Sequence, residues 1–432
     1  MQHRWLLACG LGLVAAPARS QPAAYSSLSV FDTAAARVVP AGTPPPRPAP
    51  VADCDRPTEL PPLLPVPPSG MPPPRTAGPR GPAGEYDPGY LYLPERAPES
   101  ERAERACGPA GRFWFSPSLE LGGTRAASLP VLLRAGTATG PVVYGGERLR
   151  APTRAGLGLN GGFWLDAQNT RGIDASFYYL GQGGNDTLVF SNAAALRLPT
   201  AGGGAFALAD PAAGVAGAYQ AGLNTRFSSA DVNYRRNLFC GESGRLDALA
   251  GYRYADLGED FTIYGKRLGP GGEIVRFRDD ITAVNHFHGG QVGLAGELRL
   301  DRWFVTGTGK VAFGTVFTDT NAAGKFRVND VVLPVGFYSR PGLDGPRDHA
   351  QFAVMPTAGV TLGRQLGAHG RVYVGYNFLY LNHVTRGPDV LDPAPPVAAN
   401  PHQLLNAAAG RRAATTSDFW AQSVSGGLEW RY

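Results

Sequence analysis

The chain has no apolar run of the roughly 20 residues that a membrane helix needs. Every hydrophobic stretch after Ser20 is broken within a few residues by glycine, charge or asparagine. Cysteine, methionine and charge are also scarce: 4 cysteines, 3 methionines and 17% charged residues in a chain of 432. One cysteine, Cys9, falls in the leader. The other three, Cys54, Cys107 and Cys240, are too few for a disulfide scaffold, and no CxxC or His/Cys spacing suits zinc, so neither a metal nor another cofactor is expected. The net charge of +5 and pI near 9.0 are mild. The basic residues are scattered, which denies nucleic acid the clustered basic face it requires. Without a spanning helix, the mature chain is either soluble or crosses a membrane as a closed barrel, the other structure that satisfies its backbone in lipid.

What the chain does have begins with a leader. Arg4 precedes an apolar run from Trp5 to Ala16 and then small residues, the layout of a secretory signal peptide over residues 1–20, with cleavage after Ala18 or Ser20. A lipoprotein reading through Leu6-Leu7-Ala8-Cys9 places the cysteine before the apolar core is complete. Glycine (58) and proline (39) are abundant. The prolines concentrate between Val38 and Pro98, in runs such as Pro44-Pro45-Pro46 and Pro72-Pro73-Pro74. Such a segment cannot build a ladder and samples extended polyproline conformations. Residues 21–107 are therefore expected to be a largely disordered periplasmic linker, or alternatively a spacer that touches the cell wall or a partner.

From residue 108 onward the texture changes to apolar residues alternating with small or polar ones, the pattern of strands with one face in lipid and one in a lumen. Near the C-terminus, Trp420, Val424, Leu428, Trp430 and Tyr432 fall on one face, and Ser423, Ser425, Glu429 and Arg431 on the other. The same holds for Leu246, Ala248, Ala250, Tyr252 and Tyr254 against Asp247 and Arg253, and for Val292, Leu294, Leu298 and Leu300 against Glu297 and Arg299. Ten segments qualify: 112–122, 154–165, 172–181, 229–239, 245–256, 282–300, 303–317, 351–363, 371–383 and 419–432. Long connections follow Gly122, Gly181, Asp256, Phe317 and His383, and short ones alternate with them. The expected fold over residues 108–432 is thus all-β: a transmembrane, antiparallel, up-and-down barrel of about ten strands with short periplasmic turns and both termini inside. Twelve strands result if Thr187–Asp210 adds a hairpin. The change of parity around Phe287 predicts a bulge near Gly289-Gly290, and Arg236 falls on a lipid face near the periplasmic end, where it can snorkel.

Several blocks, in order, resemble a known family. They are an aromatic first strand (FWFSPSLEL from Phe113), Leu129-Pro130, VVYGGERL from Val142, GGFWLD from Gly161 and GIDASFYYLG from Gly172. NYRRNLF from Asn233, RLDALAGYRYADLGEDFTI from Arg245 and the closing DFWAQSVSGGLEWRY complete the set. From about Phe113 to the C-terminus the chain is similar to the Putative beta barrel porin-7 family of bacterial outer-membrane proteins. It departs from the family pattern at Leu121-Gly122 and in having a single Pro130. The resemblance implies a porin in the outer membrane and brings no catalytic or binding residues with it.

The charges expected to line the lumen are Glu120, Asp174, Asp231, Arg235, Asp247, Arg253, Glu297, Arg299, Lys310, Glu429 and Arg431. Five are basic and six acidic, so they either line a polar channel without strong ion preference or pair across a narrow lumen and plug it. Trp430 and Tyr432 form the terminal aromatic signal that barrel-assembly machinery reads. Cys107 and Cys240 are both expected at the periplasmic end, where a disulfide is permitted. Trp114, Trp164, Trp303, Trp420 and Trp430 are expected in the interface girdles. His286 and His288, two apart on one strand, lack a third metal ligand and read as solvated or girdle residues. No Ser, His and acidic set converges, so an enzyme is not expected. Two functions remain: passive passage of small solutes, or a non-conducting structural or surface-binding barrel acting through its long loops. Outer-membrane lipid and the assembly machinery are the expected partners. A secreted soluble β protein is the third reading, and oligomeric state is not encoded legibly.

Overall fold

A computed structural model describes residues 111–149, 152–339, 345–391 and 415–432, with Pro395 and the backbone of Arg37–Val38. The leader, the proline-rich segment and Cys107 lie outside the described residues, so the expectations placed on them, including the Cys107–Cys240 disulfide, are not addressed by it.

Ten long strands form one closed ring. They are β1 (Phe113–Thr124), β2 (Arg154–Trp164), β3 (Arg171–Ser191), β4 (Ala216–Cys240), β5 (Gly244–Leu268), β6 (Ile274–Leu300), β7 (Trp303–Val328), β8 (Gly345–Leu366), β9 (Gly370–Val384) and β10 (Ser417–Arg431). Each pairs antiparallel with its chain neighbours, and β10 closes on β1 through pairs such as Val424 with Leu121 and Ser425 with Glu120. The twelve-strand alternative is corrected. Leu196–Pro199 and Ala205–Ala209 pair with each other and join Leu133–Ala135 and Val142–Tyr144 in a separate four-stranded sheet outside the ring.

All ten expected segments are barrel strands, but several run much further than their lipid-facing stretch. β6 has 27 residues, which at about 3.3 Å per residue and a tilt near 40° gives a height of ~65 Å, against an apolar band of about 25 Å in such barrels. The surplus lies at the end of the long connections. The connection expected to be long after Asp256 is in fact mostly strand: β5 continues to Leu268 and only residues 269–273 turn into β6. At the opposite end the turns are short, as between Leu300 and Trp303, where Asp301 takes a left-handed conformation (φ 56°).

The alternation inverts with height. Near the short turns the apolar side chains face outward, among them Leu119, Leu121, Val292, Leu298, Val360, Val374 and Val424, all exposed. On the long extensions the apolar side chains face inward, with Tyr219, Phe261, Phe277 and Phe287 fully buried. This inversion corrects the expected bulge at Gly289-Gly290. β6 pairs without a register shift on both sides, odd-numbered residues face the interior throughout, and what changes at Phe287 is which face is apolar. Above the membrane, water is outside and the dry environment is within.

Candidate functional site

The interior is stacked in layers, because ten strands enclose a space that side chains nearly fill. Nearest the short turns is a charged layer, and the structure turns all eleven sequence-identified charges into it. Strands well separated around the ring are joined across it. Glu297 on β6 accepts from Arg371 Nη1 on β9 at 2.9 Å and from Arg431 Nη2 on β10 at 3.1 Å, and Arg299 Nε donates to it at 2.8 Å. Glu429 pairs with Arg431 at 2.5 Å. Asp174 meets Arg235 at 3.0 Å, and Asp247 takes Arg245 Nε at 2.8 Å. Lys310 on β7 reaches Asp231 on β4 at 2.8 and 2.9 Å, with Arg253 at 3.8 Å from the same carboxylate. These charges therefore pair with one another across the lumen.

Glu120 differs from the rest. Its carboxylate accepts from Ser118 Oγ at 2.8 Å, Ser423 Oγ at 2.7 Å and Asn377 Nδ2 at 3.2 Å, all neutral donors. Among the described residues no cation stands within ion-pair distance of it.

Sequence reasoning missed Arg245 and Arg371, which complete the charged layer, and misplaced two tryptophans. Trp114 and Trp164 face the interior, with ring centroids 5.0 Å apart, and Trp114 Nε1 donates to Asn160 Oδ1 at 3.2 Å. The Arg245 guanidinium stacks 4.0 Å over Trp164 and that of Arg235 5.4 Å over Trp114. The parity of Trp114 with Glu120 carried that information. Trp303 is exposed on the lipid side, as expected. Arg236 also points outward and is exposed. His286 and His288 face out from the barrel, where Nδ1 of His288 meets the Tyr252 hydroxyl at 2.6 Å and Nδ1 of His286 meets Asp256 at 3.0 Å. Among the described residues no group of three or more His, Cys, Asp and Glu converges for a metal. At the terminus, Tyr432 stacks on His369 and exchanges backbone hydrogen bonds of 2.8 and 2.9 Å with Phe113.

Within the charged layer lies a cavity of about 340 Å³ that reaches the periplasmic rim at Gly111, Glu429 and Arg431 and ends above at Leu379 and Ala421. Its ceiling is an apolar layer of Leu180, Phe227, Leu257, Phe287, Val316, Met355, Leu381 and Phe419. Phe227 on β4 and Phe419 on β10 meet across the lumen at a centroid distance of 5.1 Å.

Above that layer the connection after β9 folds into the barrel. Arg386 Nε donates to the fully buried Glu259 at 2.9 Å, Gly387 N donates to the same carboxylate at 3.0 Å, and Asn285 accepts from Thr385 N at 2.8 Å. The outer mouth is then covered by a second apolar core, in which the four-stranded sheet and the segment Val335–Tyr338 pack on Tyr219, Phe261 and Phe277. That segment is held by Asp279, which accepts from the backbone N–H groups of Phe337, Tyr338 and Ser339 at 3.1, 3.0 and 2.6 Å.

Comparison with family models matches residues 123–432 to the Putative beta barrel porin-7 family. The chain belongs to that family. Among solved structures it is similar to the outer membrane protease OmpT of Escherichia coli, at 14% identity over 74% of this chain and 97% of that one, with a TM-score of 0.41. It is similar also to the translocator domain of the autotransporter NalP of Neisseria meningitidis (9%, 75% and 90%, TM-score 0.24) and to the Pseudomonas putida toluene transporter TodX (10%, 75% and 90%, TM-score 0.19). At these scores none of their activities passes to this chain. Comparison with curated proteins finds no match. Family membership and the closed ring with its apolar outer belt place this porin-7 barrel in the cell outer membrane, with its short turns at the periplasmic side.

Proposed function

We propose that this porin-7 barrel passes small solutes through a gated lumen, closed at rest. The observation that carries the reading is the contrast between the charged cavity at the periplasmic end and the dry layer of Phe227, Leu257, Phe287, Met355 and Phe419 directly above it. A lumen filled by packed apolar side chains bars water and ions, and it conducts once those side chains move aside and the gap is wetted. The in-folded residues around Arg386 and the outer core are further barriers that opening has to displace. On this reading the barrel is not an enzyme. Its partners are small solutes, outer-membrane lipid on the belt and, through Trp430 and Tyr432, the assembly machinery.

Planar-bilayer recording of the refolded, signal-free protein tests it. The native barrel should show a closed baseline with brief openings, and Phe227→Ser with Phe287→Ser should raise the open fraction by wetting the constriction. A barrel silent in both forms overturns solute passage. It would favour the second reading, a non-conducting barrel acting at the cell surface, for which the four-stranded sheet over the outer mouth is the supporting feature.

A further inference from the structure

We propose that the periplasmic cavity is a binding site for a small organic cation carrying a protonated amine, with Glu120 as the group that receives it. A carboxylate removed from water needs a cation or a dense set of donors to offset its lost hydration. Every other acidic side chain of the charged layer has an arginine or lysine within ion-pair distance: Asp174, Asp231, Asp247, Glu297 and Glu429. Glu120, only 2% exposed, has three neutral donors instead and lines the cavity.

The wall around it is uncharged and polar. Ser116, Ser118, Asn160, Tyr373, Asn377 and Ser425 border the cavity on the β1, β2, β9 and β10 side; Arg371 on β9 and Arg431 on β10 are turned to Glu297 and Glu429, and Arg235, Arg245, Arg253 and Lys310 stand on β4, β5 and β7. Asn377 donates to Oε2 at 3.2 Å and Ser423 to the same oxygen at 2.7 Å, whereas among the described residues Oε1 accepts only from Ser118. Oε1 therefore keeps a lone pair for an N–H donor of a ligand. Gly158 lets Ser118 and Glu120 sit close against β2, since a Cβ at that position falls 2.8 Å from Oε1 and 2.3 Å from Ser118 Oγ. The chemistry selects an ammonium over a divalent metal. A metal requires several oxygen, nitrogen or sulfur ligands converging on it, and among the described residues no such group of three His, Cys, Asp or Glu exists. An alkylammonium needs one charge-assisted contact, and the apolar ceiling at Leu379 and Ala421 receives its alkyl tail.

The inference deepens the solute-passage reading by naming the class of solute, and rests on it only in taking the cavity to be reached from the periplasm; binding itself requires no conduction. The test is calorimetric titration of the whole refolded barrel in detergent with n-butylamine hydrochloride, n-butanol and sodium butyrate at neutral pH. The ammonium should bind, and the alcohol and carboxylate of similar shape should bind at least about tenfold more weakly, the range set by one hydrogen bond to a charged group. Glu120→Gln should weaken the ammonium by a similar factor while heat-modifiability on a gel stays native.

Equal binding of the three probes, no binding of the ammonium at millimolar concentration, or an unchanged affinity in Glu120→Gln each overturns the site. The comparison among probes needs no variant, so it decides even if Glu120→Gln does not fold. A barrel that binds the ammonium but never conducts keeps this site and loses solute passage. One that conducts without binding does the reverse.

Discussion

Asp231 sits within the charged layer, accepting from Ser176 at 2.6 Å, from Asn233 at 2.7 Å and from Lys310 Nζ at 2.8 and 2.9 Å. Removing one partner of a buried ion pair leaves the other uncompensated, at a cost of about 3–5 kcal/mol, while replacing both with apolar groups of similar volume is far milder. Asp231→Asn should therefore lower the urea midpoint of the refolded barrel markedly, and Asp231→Leu with Lys310→Met should recover part of the loss, the remainder being the buried Arg253, which loses the same carboxylate 3.8 Å away. Equal destabilisation by the single and double changes would show that the pair is not acting as a unit. Gly336 makes a different kind of point. A Cβ there falls 1.8 Å from Asp279 Oδ1 and 3.0 Å from the Gly324 backbone, so Gly336→Ala should dislodge Phe337–Ser339 from the Asp279 carboxylate. The expected readout is faster protease cleavage near residue 337 without loss of the heat-modifiable barrel. At this scale the lumen charges were readable from parity alone. Trp114 shares the parity of Glu120 and was readable in the same way, but an aromatic near a strand end also suits a lipid girdle, and the cation-stacking role of Trp114 and Trp164 comes from Arg235 on β4 and Arg245 on β5, each three strands away around the ring.

Along each strand the outward face changes its surroundings, and substitutions should report it. Val292→Arg, in the middle of the apolar stretch of β6, should cost about 2–4 kcal/mol in folding from urea into lipid vesicles. His288→Arg, beside the Tyr252 hydroxyl near the end of that stretch, should cost about 1 kcal/mol or less. Similar costs at the two positions would contradict the membrane boundary drawn here. The lipid-facing parts, such as Leu246–Tyr254, announce themselves because lipid outside and polar side chains inside give a strict alternation. The outer halves of β4, β5 and β6 do not, since there the outer face meets water and the inner face meets the apolar core. Tyr219, Phe261 and Phe277 thus carry the opposite parity to the stripe below them. A reader expecting one rule along the whole strand stops at the inversion and assigns the remainder to loops. The short strands Leu133–Ala135 and Leu196–Pro199 are equally illegible, because two to five residues are too few to establish a period.

For the molecule as a whole, the ring is closed by its first and last strands. Deleting Tyr432 removes the 2.8 and 2.9 Å backbone bonds to Phe113 as well as the terminal aromatic. The amount of folded barrel recovered from outer membranes should fall severalfold, with a smaller loss when the purified chain is refolded in detergent. An undiminished yield in cells would remove Tyr432 from the assembly signal. The β10–β1 seam also fixes an order of events. No closed lumen exists until residue 431 has arrived opposite Trp114, so any sheet formed before that has two bare edges. Such edges recruit other chains, and this one exposes them with its greasiest side chains attached. A clasp made of β1 and β10 thus obliges the cell to keep the chain escorted until β10 has been delivered, and it makes any loss of β10 a lesion of assembly before it is one of transport.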